Sequence, residues 1–263
     1  MSNNAIPRFA WFIPLAPLAL ALVIYFGELQ SSSFLFINRF TQLLPDTLWA
    51  WLTFFGNGWG VFALTFPLLL LAPRILTAGI FAGALAALAS TLLKGIFDLP
   101  RPAGLLTEGS FYRIGEALIH RAFPSGHTLT AFAIASAFYF SADKNKRAPL
   151  MPLFLLAALV GLSRNAVGAH WFTDVLGGAG AGIWCGMLGA LLANQFPENQ
   201  LGPRKVWAHL IALGGVIAMY THLTRVMDLD LNLPLQYLSI AIVASTLVFY
   251  VKAQFIQAPS KAE

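Results

Sequence analysis

Apolar runs of membrane-crossing length recur along this chain, separated by short clusters of glycine, proline and charge. A hydrocarbon core of about 30 Å is crossed by about 20 helical residues. The runs at 9–27, 48–72, 76–97, 126–142, 149–164, 171–194, 206–226 and 235–255 therefore predict eight spans. Segment 33–44 sets Asn38 and Arg39 among Phe and Leu residues and predicts an interfacial amphipathic helix. The run after Arg8 contains Ala19-Leu20-Ala21, which mimics a leader cleavage site. It is longer than a leader's apolar region of about 7–15 residues and continues past that site, so it is read as a span. The expected fold class is all-α, a polytopic transmembrane helix bundle.

Composition agrees: 58% of residues are hydrophobic and 10% charged, against about 25% charged in soluble domains. The net charge of +5 does not point to nucleic acid, because the basic residues sit in short loops between apolar runs. With the N-terminus inside, that side holds Arg8, Arg74, Lys144, Lys146, Arg147, Arg204, Lys205, Lys252 and Lys261, nine of the sixteen basic residues. Of the other seven, Lys94, Arg101 and Arg164 fall in polar motifs, which leaves four and fits the positive-inside bias. Trp49, Trp51, Trp59, Trp171 and Trp207 fall near predicted span ends, where aromatic belts sit. The one cysteine, Cys185, lies in an apolar run and has no partner for a disulfide.

Three polar stretches interrupt this pattern, all on the outer side by the charge count. Lys94–Pro102, KGIFDLPRP, ends the third span at two prolines. At Pro124–His127, Ser125 is placed to cap the fourth span, and Gly126 and His127 occupy its first turn. A helix start offers free N–H groups to an anion, and glycine lets one come close. In Ser163–Asp174, SRNAVGAHWFTD, His170 and Asp174 stand four apart on one helical face. Singly, each has a plainer reading: a Lys94–Asp98 ion pair, a capped helix with an interfacial histidine, a salt-linked surface histidine. Together they gather three cations, two histidines and a carboxylate, the inventory that phosphoryl transfer needs.

These stretches resemble the motifs K-x6-R-P, P-S-G-H and S-R-x5-H-x3-D of the type 2 phosphatidic acid phosphatase (PAP2) superfamily. They match at Lys94, Arg101 and Pro102, at Pro124–His127, and at Ser163, Arg164, His170 and Asp174. The resemblance implies a PAP2-like six-helix core over 1–195, with two extra C-terminal spans and a short tail over 196–263. It implies that His170 is a nucleophile forming a phosphohistidine, that Asp174 orients it and that His127 protonates the leaving oxygen. Lys94, Arg101, Ser125, Gly126 and Arg164 would hold the phosphate. The resemblance implies that no metal is needed and no cofactor is expected, and the outer face has no dense set of carboxylates or extra histidines of the kind a two-metal hydrolase uses.

The expected partners are membrane lipids and a lipid phosphate substrate: undecaprenyl pyrophosphate, phosphatidylglycerol phosphate, phosphatidate or a lipid A phosphate. The expected location is a bacterial inner membrane, with the site on the periplasmic or outer side. A lipid-to-lipid phosphotransferase is the alternative within the family, and a transporter the alternative outside it. A transport path would place ionisable groups at several depths, whereas these spans carry charge at their ends. Residues 103–122 are expected to form a lid, with a short surface helix from Glu108 that carries Arg113, His120 and Arg121.

Overall fold

A computed structural model describes residues 5–255; Lys261 and the C-terminal tail lie outside the described residues. Among the described residues there are twelve α-helices. They are α1 (Leu15–Phe26), α2 (Gln30–Thr41), α3 (Asp46–Phe54), α4 (Gly58–Thr65), α5 (Leu68–Leu71) and α6 (Pro73–Phe97), then α7 (Pro102–Leu105), α8 (Gly126–Ser141), α9 (Pro152–Ala166), α10 (Phe172–Gln195), α11 (Val206–Thr224) and α12 (Leu233–Phe255). Among the described residues, six helical stretches are long and apolar enough to cross a membrane: Arg8–Phe26, Pro73–Leu105, Ala148–Ala166, Phe172–Gln195, Val206–Thr224 and Asp230–Phe255. The protein is an integral, multi-pass membrane protein.

The predicted span 48–72 is not one helix but three, α3 to α5. Asn57 Oδ1 accepts from the N–H groups of Trp59 and Gly60 and so starts a new helix there. Pro67, which has no N–H to donate, marks the second break. The predicted surface helix in 108–122 is absent. Gly109 and Gly115 take φ values of +81° and +86°, and Arg121 takes +56°, conformations that a right-handed helix excludes. The expected amphipathic helix forms as α2, but Asn38 turns inward. Its Nδ2 donates to the carbonyls of Tyr112 and Asn165, each at 2.9 Å, and Tyr112 N–H donates back to its Oδ1 at 2.8 Å.

At the centre, α6, α8 and α10 pack against one another. The closeness of α8 to α10 comes from small residues spaced four apart. A Cβ added to Gly178 would stand 2.7 Å from Ser125 O, and one added to Gly182 would stand 2.5 Å from Leu129 O. Only glycine lets the two backbones approach so far, a packing device typical of helices in lipid. Around this core, α11 and α12 pack on α4 through a cluster that includes Phe66, Ile211 and Val243. Trp207 Nε1 donates to Thr77 Oγ1 at 2.9 Å and ties α11 to α6. Large apolar side chains such as Leu88, Leu92, Leu213 and Ile217 point outward, as lipid contact requires.

Candidate active site

The end of α6, the start of α8, the end of α9 and the start of α10 meet at one end of the bundle. Lys94 lies in the last turn of α6, which Asp98 closes in a left-handed conformation with φ +36°. A Cβ added to Gly126 would stand 3.8 Å from Lys94 Nζ, so the ammonium lies against the first turn of α8. That turn is capped by Ser125, whose Oγ accepts from the Thr128 hydroxyl at 2.9 Å. Ser125 N–H donates to Asp174 O at 3.0 Å, which ties the α8 start to α10.

Arg101 is buried and held by the non-helical loop that precedes α8. Its backbone N–H donates to Ile119 O at 2.7 Å, and its Nε donates to His120 O at 2.8 Å. Its Nη1 donates to Ala169 O at 3.0 Å and stands 3.2 Å from His170 Nε2. The loop's irregular backbone thus has a purpose: its carbonyls, freed from helical pairing, fix a guanidinium. Arg121 contributes through its carbonyl, and Arg113 lies 3.9 Å from Glu108.

His170 sits between α9 and α10, fully enclosed. Its Nδ1 faces Asp174 Oδ2 at 3.3 Å, and the same oxygen accepts from Trp171 N–H at 2.9 Å. The carboxylate therefore caps α10 and sets the imidazole tautomer in one position. Asn165 Nδ2 donates to His170 O at 2.7 Å, and Trp171 Nε1 donates to Pro100 O at 2.8 Å. Burial, then the charges of Arg101, Arg164 and Lys94, push the His170 pKa well below its ordinary value. These influences favour a neutral ring, whose Nε2 faces the Arg101 guanidinium. Arg164 is buried too. Its Nη1 donates to Thr53 Oγ1 at 3.2 Å, while its Nε has no hydrogen-bond partner, a donor left for an anion.

His127 has a neighbour that no short-range pattern announces. Its Nε2 stands 3.1 Å from Oδ2 of Asp228, in the loop between α11 and α12. Asn57 Nδ2 donates to the same oxygen at 2.8 Å. Asp228, Asn57 and Thr53 all lie outside the three sequence motifs. The run Gly56-Asn57-Gly58 carried a turn signal; Asp228 carried none. A cavity of about 400 Å³ opens beside these groups, lined by Arg164, Ala169, Asp228, Leu229, Gly115 and Leu118.

All eight residues expected at the site lie at this end of the bundle, and residues 74–200, which hold every one of them, match the PAP2 superfamily. The chain carries a PAP2 superfamily domain. The domain is similar to the lipid A 1-phosphatase of Porphyromonas gingivalis, at 36% identity over 118 residues, 44% of this chain and 25% of the relative. It is also similar to phosphatidylglycerophosphatase B of Bacillus subtilis, at 33% identity over 105 residues, 36% of this chain and 47% of the relative. The matches thus span less than half of these curated relatives. The crystal structure of Aquifex aeolicus LpxE superposes with a TM-score of 0.50 at 29% identity, over 64% of this chain and 96% of that one. Asp228 lies outside the PAP2 match.

Proposed function

We propose that this protein is a metal-independent lipid phosphatase that works through a phosphohistidine on His170. The carrying observation is the buried His170 ring, held by Asp174 on one side and facing the Arg101 guanidinium on the other. His170 Nε2 attacks phosphorus while the bond to the leaving oxygen breaks, and that oxygen takes a proton from His127. Water then attacks phosphorus, gives its proton to His127 and frees His170. Lys94, Arg101, Arg164, Ser125 and the Gly126 amide hold the phosphate oxygens, where charge must be stabilised.

A lipid substrate suits an apolar cavity of about 640 Å³ between α4, α6, α8 and α11, lined by Trp59, Phe62, Ile80, Gly83, Ile134 and Leu210. Asn57 belongs to this cavity and also touches Asp228, so the apolar space adjoins the polar end. We place residues 1–195 as the phosphatase core and 196–263 as an added helix pair. We place the protein in a bacterial inner membrane with the site on the outer side, which the basic residues at the opposite loops support. The relatives' names put lipid A 1-phosphate and phosphatidylglycerol phosphate first among substrates to test.

The test is phosphate release by purified protein with chelator present, from lipid A, phosphatidylglycerol phosphate, phosphatidate and undecaprenyl pyrophosphate. His170→Ala should abolish release while the protein stays folded in detergent. Persistent turnover by that variant would overturn the covalent route. Phosphate appearing on a second lipid instead of in solution would mark a phosphotransferase.

A further inference from the structure

We infer that Asp228, delivered by the helix pair beyond the PAP2 domain, is the positioning residue of the general acid His127. The inference rests on the phosphatase reading above. Asp228 and His127 are 101 positions apart, yet their side chains meet at 3.1 Å, and Asn57 fixes the same carboxylate oxygen at 2.8 Å. Asn57 is itself anchored, since its other side-chain atom caps α4 at 3.0 and 3.1 Å. From the turn after α3, Gly56 packs closely on the base of the His127 side chain: a Cβ added there would stand 2.7 Å from His127 Cβ. His127 is thus held by two segments, neither of them from α8, with Asp228 on the ring and Gly56 at its base.

The backbone supports the same conclusion. Asp228 adopts φ +62°, a left-handed conformation that costs a non-glycine residue energy unless its surroundings hold it there. The loop is held by its own network: Met227 N–H donates to Gln236 Oε1 at 3.0 Å, and Asn232 Nδ2 donates to Met227 O at 3.1 Å. Burial would raise the Asp228 pKa, but the His127 charge and hydrogen bond, the Asn57 hydrogen bond and Arg164 together outweigh it and hold the carboxyl well below its usual range. It is an anion. The groups facing His127 are otherwise cationic or neutral: Arg164 from α9, Lys94 from α6 and the His170 ring. Among the described residues, Asp228 is the carboxylate set against them.

The chemistry follows the logic of a nucleophile's orienting carboxylate, applied to the acid. With Nε2–H donated to Asp228, the proton transferred to the leaving oxygen comes from Nδ1. The phosphorus–oxygen bond breaks as the phosphorus–nitrogen bond to His170 forms. The His127 ring ends neutral and still bonded to Asp228. The site then holds two histidine–aspartate pairs, with the carboxylate of the second supplied from outside the family domain.

The test compares kcat/KM, which covers only the steps up to departure of the leaving group, for a lipid phosphate and for p-nitrophenyl phosphate. The phenolate departs without a proton, so only the lipid ester needs the acid. Asp228→Asn, and Asp228→Gly with its ease at positive φ, should lower kcat/KM on the lipid ester about 10- to 100-fold and on the aryl ester less than about threefold. Adding Asp228→Asn to His127→Ala should cost nothing further. An equal loss on both esters would make Asp228 merely structural and overturn the inference. So would unchanged rates, or a gain that would make Asp228 a plug. A wild type silent on both esters, or a His170→Ala variant that still turns over, would overturn the phosphatase reading and this inference with it.

Discussion

His170 carries opposing influences whose sum decides its chemistry. Asp174 at 3.3 Å favours the charged ring, as an adjacent carboxylate does for any imidazole. Against it stand full burial and three cations, Arg101, Arg164 and Lys94. Desolvation of a buried ion outweighs one carboxylate that is also bonded to Trp171 N–H. The sign follows: His170 in the folded protein binds its second proton only well below the ordinary pKa of 6.5. Histidine nitrogen NMR in detergent, with the His170 signal assigned by His170→Ala, should show a neutral ring at about pH 5.5, a unit below the usual midpoint. A His170 midpoint at or above 6.5 would show that Asp174 wins, and the resting nucleophile would then be protonated.

At the scale of elements, the α8–α10 contact sets the distance between the capped Ser125 turn and His170. Gly178 and Gly182 allow it, since side chains there would run into the α8 backbone. Gly182→Val should therefore push α8 outward, cost about 1–3 kcal/mol as overpacking does, and lower the thermal midpoint in detergent. Phosphate release should fall further than stability, because Ser125, Gly126 and His127 all ride on α8. An active variant with an unchanged midpoint would mean that the contact is slack. Much of this was legible in the chain: the three motifs end or begin helices where their prolines and caps stand, and one end of the bundle gathers them. The breaks at Asn57 and Pro67 were not, because a long apolar run reads as one span whatever interrupts its hydrogen bonds. The loop over 108–122 departs from the helix its sequence predicts for the opposite reason. Its composition suits a helix, but Gly115 and Arg121 take conformations set by tertiary contacts such as Arg101 on the His120 and Arg121 carbonyls. Asp228 was invisible because its partner lies 101 residues away.

The whole molecule joins a polar end to an apolar cleft, and the added helix α11 walls that cleft while its following loop supplies Asp228. A single structural unit thus borders both the apolar cleft and the polar end, and the two regions can be mutated separately. Gly83 on α6 lines the cleft, and a Cβ added there meets nothing within 4 Å. Gly83→Leu should therefore fold normally, since leucine is a good helix former and has room. It should also occupy space that a lipid chain needs. Losing contact with two methylenes, at about 0.8 kcal/mol each, amounts to about a tenfold loss of kcat/KM for a long-chain lipid phosphate. A water-soluble aryl phosphate reaches only the polar end, so its kcat/KM should not change. A loss shared by both substrates would mean that Gly83 acts through α6 and Lys94. No loss for either would leave the tail in bulk lipid and the cleft without a part in substrate binding.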